Sequence, residues 1–174
     1  NRAAEVRILW NLVNIDRFDL NSLEMAVVHG EKGIELARQL RLGEELAYLL
    51  NDVGEIYGTL GRFDNSALYL DEAQEHWRQL GNDPMLSDSL RSSAGWEHIG
   101  GRLHVALTHT EEALQLTTRI GNLWGESYSQ AVRGEVLGWL GDFGQSVEDL
   151  TLAHEKTRDA GFIAGQLLSA CFLS

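Results

Sequence analysis

Gly61, Gly101 and Gly141 stand forty residues apart, and the residues around them recur with them. Leu23, Phe63, Leu103 and Phe143 form an apolar column two residues further on. Ala26, Ser66, Ala106 and Ser146 form a column of small side chains, as do Gly33, Ala73, Ala113 and Ala153. Leu40, Leu80, Ile120 and Ala160 close the units, and Gly81, Gly121 and Gly161 follow the last three. Four units fit without a gap, at about 1–40, 41–80, 81–120 and 121–160, with residues 161–174 left over. Self-similarity at such a period marks a chain built by stacking one supersecondary unit on the next.

Each unit reads as two helices. In the second, Leu50, Val53, Gly54, Tyr57 and Leu60 recur at three- and four-residue spacing, which puts them on one helical face. Gly61 can end that helix in the left-handed conformation. Phe63, Ser66, Leu70, Ala73, Trp77 and Leu80 then mark a second helix, which Gly81 ends. Asp83-Pro84 suits a helix start, and Asp142 with Gln145 three residues later suits a capping box. The only proline is Pro84, so long helices go unbroken, and no stretch alternates with period two. Gly54, Ala94 and Gly134 fall inside the first helices at one register position. Glycine there costs about 1 kcal/mol against alanine, so these small residues are expected to let the paired helices approach closely.

Composition narrows the function. A formal charge of -12 removes the phosphate attraction on which nucleic-acid binding rests, and it argues equally against an anionic membrane surface. No segment approaches the roughly 20 apolar residues a membrane-spanning helix needs. Cys171 is the single cysteine, which fits a reducing compartment, and a cytoplasmic location is expected. The chain is read as a segment of a longer protein. Phosphate-loop, nucleophile-elbow and zinc-protease motifs are absent, and no cofactor or catalytic residue is expected. His104 and His109 would point about 140° apart on a helix. His98 and His104, with Glu97 or Glu111, are the nearest thing to a metal cluster, and solvated or packed histidines are the preferred reading. Asp71-Glu72, Glu111-Glu112 and Glu148-Asp149 are read as a solvated outer face, and His29, Tyr69, His109 and Asp149 as an outer column. Trp10, Trp77, Trp96 and Trp124 are read as packing between helices.

The unit resembles a tetratricopeptide repeat (TPR) of the long, roughly forty-residue type. Its Leu-Gly pair falls on Val13-Asn14, Val53-Gly54, Ser93-Ala94 and Arg133-Gly134. Its Tyr position is held by Arg17, Tyr57, Glu97 and Leu137, and its Phe column by Gly30, Leu70, Thr110 and Leu150. The second unit matches best. The resemblance implies an all-α, right-handed superhelical solenoid of antiparallel helix pairs, four repeats plus the first helix of a fifth. It also implies a concave groove lined by first helices. Carried over by register, the partner-binding residues are Tyr48, Asn51, Asp52, Glu55, Asp88, Arg91, His98, Tyr128, Glu135 and Trp139. Ile8, Asn11, Ile15, Phe18, Asp19, Thr59, Ser92 and Ile99 lie along the same face.

The function so implied is a non-catalytic protein- or peptide-binding scaffold, the sensor or adaptor part of a larger regulatory protein. The alternative is a receptor for a small ligand or signalling peptide that switches an attached output domain. With Arg91 as the one cation expected among Asp19, Asp52, Glu55, Asp88 and Glu135, a partner carrying Lys or Arg beside apolar anchors is expected. Phe162, Ile163, Leu167, Leu168, Phe172 and Leu173 form half a unit, expected to leave an apolar strip that promotes self-association.

Overall fold

The computed structural model describes residues 2–163, 165, 166 and 170. Those residues form eight helices: α1 (Arg2–Asp16), α2 (Leu23–Leu40), α3 (Gly43–Thr59), α4 (Phe63–Leu80), α5 (Asp83–Ile99), α6 (Leu103–Arg119), α7 (Leu123–Leu140) and α8 (Phe143–Asp159). No strand occurs among the described residues. The chain divides into two compact units, Asn1–Asn82 with α1–α4 and Asp83–Ser174 with α5–α8.

Turn chemistry sets the helix ends. Gly61, Gly81, Gly101, Gly121, Gly141 and Gly161 all have positive φ, between 65° and 87°. Arg41, which stands where later units carry glycine, takes the same left-handed conformation at φ 57°. Asp142 accepts a hydrogen bond from the Gln145 amide at 3.2 Å, the cap expected there. Asn122 caps α7 likewise through the Gly125 amide at 3.0 Å. The first unit is the exception: α1 stops at Asp16, and residues 17–22 form an irregular connection. Asn21 replaces the turn glycine, and Asp19 organises the loop by accepting from the Asn21 amide and the Ser22 hydroxyl, both at 3.0 Å. These bonds hold the Asp19 carboxyl below its usual range.

Within Asn1–Asn82 the core is aliphatic and aromatic, with Val6, Val13, Leu49, Leu50, Val53, Ile56, Leu70 and Trp77 almost wholly buried. Within Asp83–Ser174 it is smaller and richer in hydroxyls: Leu90, Ala94, Ala106 and Val136 are buried, and so are Ser89, Ser93, Thr110 and Thr117. The expected close approach is present in both. A Cβ on Gly54 would lie 2.7 Å from Leu70 Cγ, and one on Gly134 would lie 2.8 Å from Leu150 Cγ. In register, Ala94 is matched with Thr110 and Asn14 with Gly30, so a larger residue on one helix coincides with a smaller one on its partner.

Of the expected fifth-unit strip, Leu167, Leu168, Phe172 and Leu173 lie outside the described residues, as does Cys171. Phe162 packs on α7, with its ring 5.7 Å from that of Trp124.

Candidate functional site

The first-helix face of Asn1–Asn82 is occupied by its own side chains. Trp10 of α1 donates from Nε1 to Asp52 Oδ2 at 2.7 Å and stacks on Tyr48 with ring centroids 4.8 Å apart. Tyr48 in turn sets its ring edge-on to Trp77 at 4.9 Å. Arg17 donates to Asp52 at 3.1 Å and also to Glu55. Burial pushes the Asp52 carboxyl up, opposed by the Trp10 and Arg17 contacts. Two expectations therefore change. Arg91 is not the only cation, because Arg17 meets Asp52 and Glu55 of α3. Tyr48 is held between two tryptophans rather than standing free. Asn51 is only 4% exposed, so it lies under this face rather than lining an open groove.

Within Asp83–Ser174 the expected residues gather in two clusters. In one, Arg91 donates to Asp88 at 2.6 Å, and its guanidinium lies over the Tyr128 ring 5.0 Å from the centroid. Tyr128 stacks on Trp124 at 4.9 Å. Trp124 is thus engaged in ring packing while staying half exposed. In the other, His98 Nδ1 stands 3.7 Å from Glu135 Oε1, and its ring lies 5.7 Å from that of Trp139. Burial pushes the His98 imidazole down and the Glu135 carboxyl up, so both lean toward their neutral forms. Glu135 and Trp139 line a cleft of about 600 Å³ with Gly138, Phe143, Ser146, Val147 and Leu150. Trp139 is 69% exposed and Phe143 70%. Phe143 and Val147 sit on the second helix of their unit, which the first-helix register rule passes over.

The column of His29, Tyr69, His109 and Asp149 is not an outer one. His29 Nδ1 meets Asp16 Oδ2 at 2.9 Å, and the Tyr69 hydroxyl donates to Glu31. Asp149, 4% exposed, accepts two bonds from Arg133, at 2.7 and 2.8 Å. Glu148-Asp149 is therefore not a solvated acidic pair: Glu148 is exposed and Asp149 is an internal counter-ion. The described residues hold no group of three metal-ligating side chains, and no helix among them is long and apolar enough to cross a membrane.

Helix pairs at a forty-residue period, with small residues where paired helices touch, define a TPR-like helical repeat. Solved structures place the chain in that fold class. BtubC (BKLC) from P. vanneervenii superposes with a TM-score of 0.85 over 92% of this chain at 16% identity, and the chain spans 66% of that structure's length. The nearly identical TPR-like repeats of a Podosopora anserina protein described as a kinesin light chain match over 96% of this chain and 84% of theirs. That TM-score is 0.78, at 14% identity. A single-substitution variant of those repeats matches over 99% of this chain and 86% of its own length, with a TM-score of 0.81 at 14% identity. No family model and no curated protein sequence matches the chain. The fold is thus an all-α, TPR-like repeat solenoid.

Proposed function

We propose that the chain is a non-catalytic protein- or peptide-binding module, the sensor or adaptor part of a larger regulatory protein working in the cytoplasm. TPR-like repeats commonly mediate protein–protein interaction, and stacked repeats present extended surfaces suited to that task. The observation that carries the reading is the cleft at Glu135 and Trp139. An exposed aromatic stands there beside a partly buried carboxylate that no arginine or lysine among the described residues meets. Apolar surface next to an uncompensated acid suits a peptide with Lys or Arg beside apolar anchors. Asp88, Arg91, His98 and Tyr128 supply further contacts in the same unit. Tyr48, Asp52 and Glu55 contribute mainly by holding Trp10 and Arg17 against α3, and Asn51 is buried.

A peptide array of basic, apolar-anchored sequences and their acid-substituted counterparts tests this. The basic set should bind preferentially. Trp139→Ala with Glu135→Gln should abolish that preference, while Glu72→Lys with Glu112→Lys should leave it. Equal binding of acidic and basic sets would overturn the reading. The receptor alternative draws support from the cleft volume of about 600 Å³, within the range of small-ligand sites.

A further inference from the structure

Arg41 stands where the later repeats carry glycine. Its register mates Gly81, Gly121 and Gly161 all have positive φ, and among the described residues Arg41 alone adopts that conformation with a side chain, at φ 57° and ψ 40°. A left-handed residue with a Cβ costs stability that glycine would keep. An outlier of this kind raises the question of what its side chain does.

Arg41 lines a pocket of about 430 Å³ formed by the C-terminal half of α4, the last turn of α2 and the first turn of α3. Arg38, His76, Leu42, Leu46 and Glu72 share it, and residues 38–79, which supply the whole lining, are described throughout. Glu72 is the one acid there and is already engaged. It accepts from Arg38 at 2.6 Å and stands 3.8 Å from His76 Nε2. The Arg41 guanidinium has no hydrogen-bond or ion-pair partner among the described residues. Two guanidinium groups and an imidazole thus face a single carboxylate, in a chain whose formal charge is -12. The repeat itself does not require this trio. One repeat on, Arg38, Arg41 and His76 become Arg78, Gly81 and Leu116; two repeats on, they become Thr118, Gly121 and Lys156.

We propose that this pocket binds a small phosphomonoester, its phosphate on Arg41 with Arg38 and His76 alongside, and its apolar body against Leu42 and Leu46. The site is a second one, independent of the peptide-binding reading of Glu135 and Trp139. A guanidinium offers its donors in a planar fork that matches phosphate oxygens. A phosphomonoester brings more than one negative charge at neutral pH and three acceptor oxygens. A carboxylate brings one charge and two oxygens, fewer than the donors can use. The volume lies within the range of small-ligand sites.

Phenyl phosphate is the probe, titrated into the full chain and followed by proton–nitrogen correlation NMR at neutral pH. Saturable shifts should centre on the Arg41 and Gly43 amides. Arg41→Gly should weaken binding about tenfold, the loss of one charged hydrogen bond. Because the same variant should raise the thermal midpoint, misfolding cannot mimic that loss. Arg7→Ala, which removes an equal charge outside the pocket, should leave the affinity unchanged. Benzoate, the same ring on a carboxylate, should bind at least tenfold more weakly than phenyl phosphate. No saturable shift, or an affinity indifferent to Arg41→Gly, would overturn the site, and Arg41 would then serve only the C-terminal end of α2. Benzoate binding as tightly as phenyl phosphate would overturn the choice of phosphate. A phosphotyrosine peptide binding tenfold more tightly than phenyl phosphate would overturn the small-molecule assignment in favour of a protein segment.

Discussion

Replacing Gly134 by alanine should destabilise the chain, yet the same replacement should stabilise it once Leu150 is threonine. An alanine Cβ at 134 would lie 2.8 Å from Leu150 Cγ, 3.1 Å from the Ser146 carbonyl oxygen and 3.2 Å from Asp149 Cβ. Leu150 is 2% exposed and has nowhere to withdraw, so α7 and α8 must part slightly. Overpacking of this kind costs about 1–3 kcal/mol. Helix propensity returns about 1 kcal/mol of it, leaving a net loss of about 1 kcal/mol. Leu150→Thr alone empties part of the core and costs about 2–3 kcal/mol. In that background the alanine methyl enters vacated space and keeps its propensity gain, so it should stabilise by about 1 kcal/mol. The double variant recreates the Ala94–Thr110 pair that the preceding repeat carries in register. A coupling energy of about 2 kcal/mol follows, within the range for residues in contact. Urea unfolding of the four proteins followed by far-ultraviolet circular dichroism measures it. Gly95→Ala is the control: it is helical with nothing within 4 Å of its Cβ, and should gain about 1 kcal/mol from propensity alone. Additive effects of Gly134→Ala and Leu150→Thr would refute the complementarity argument.

Arg41→Gly should raise stability by about 1 kcal/mol, because Arg41 holds the left-handed turn that glycine holds in later units; an unchanged thermal midpoint would count against it. Asp149→Ala should cost about 2 kcal/mol by stranding the partly buried Arg133, and Arg133→Met with Asp149→Leu should recover much of that. Thermal melts of the single and double variants decide it. Glu135→Gln should stabilise at neutral pH. Burial raises the folded carboxyl above its ordinary 4.5, so the wild type loses stability as pH climbs from 4.5 through the folded value. The variant's advantage should vanish below pH 4.5, and an advantage constant from pH 4 to 8 would contradict the assignment.

The architecture was legible because its causes are local. Glycine at a fixed interval stops a helix wherever it falls, and three- and four-residue spacing of apolar side chains declares which face is buried. The six positive-φ glycines and the small residues at 54 and 134 needed no more than that. The first turn departed for a local reason too, since Asn21 lacks the freedom of glycine and Asp19 organised a loop in its place.

The site was legible only in part. Glu135 and Trp139 line one cleft, but register could not say what long side chains reach. The column of His29 and Asp149 lies one residue, 100° of helix, from the buried column of Gly30 and Leu150. At such a border position, the side chain across the interface decides between solvent and interior. Arg133 reaches Asp149 from α7, Asp16 reaches His29 from α1, and Arg17 reaches Asp52 and Glu55 across 35 and 38 residues of sequence. Periodicity is a property of one helix and can be read from the chain; the pairing of charges belongs to two helices packed together. The sequence by itself therefore determined the repeat, the helices and their turns. Only the packing of one helix on another decided that Arg17 meets Asp52 and Glu55, that Arg133 meets Asp149, and that Glu135 faces His98 at the cleft.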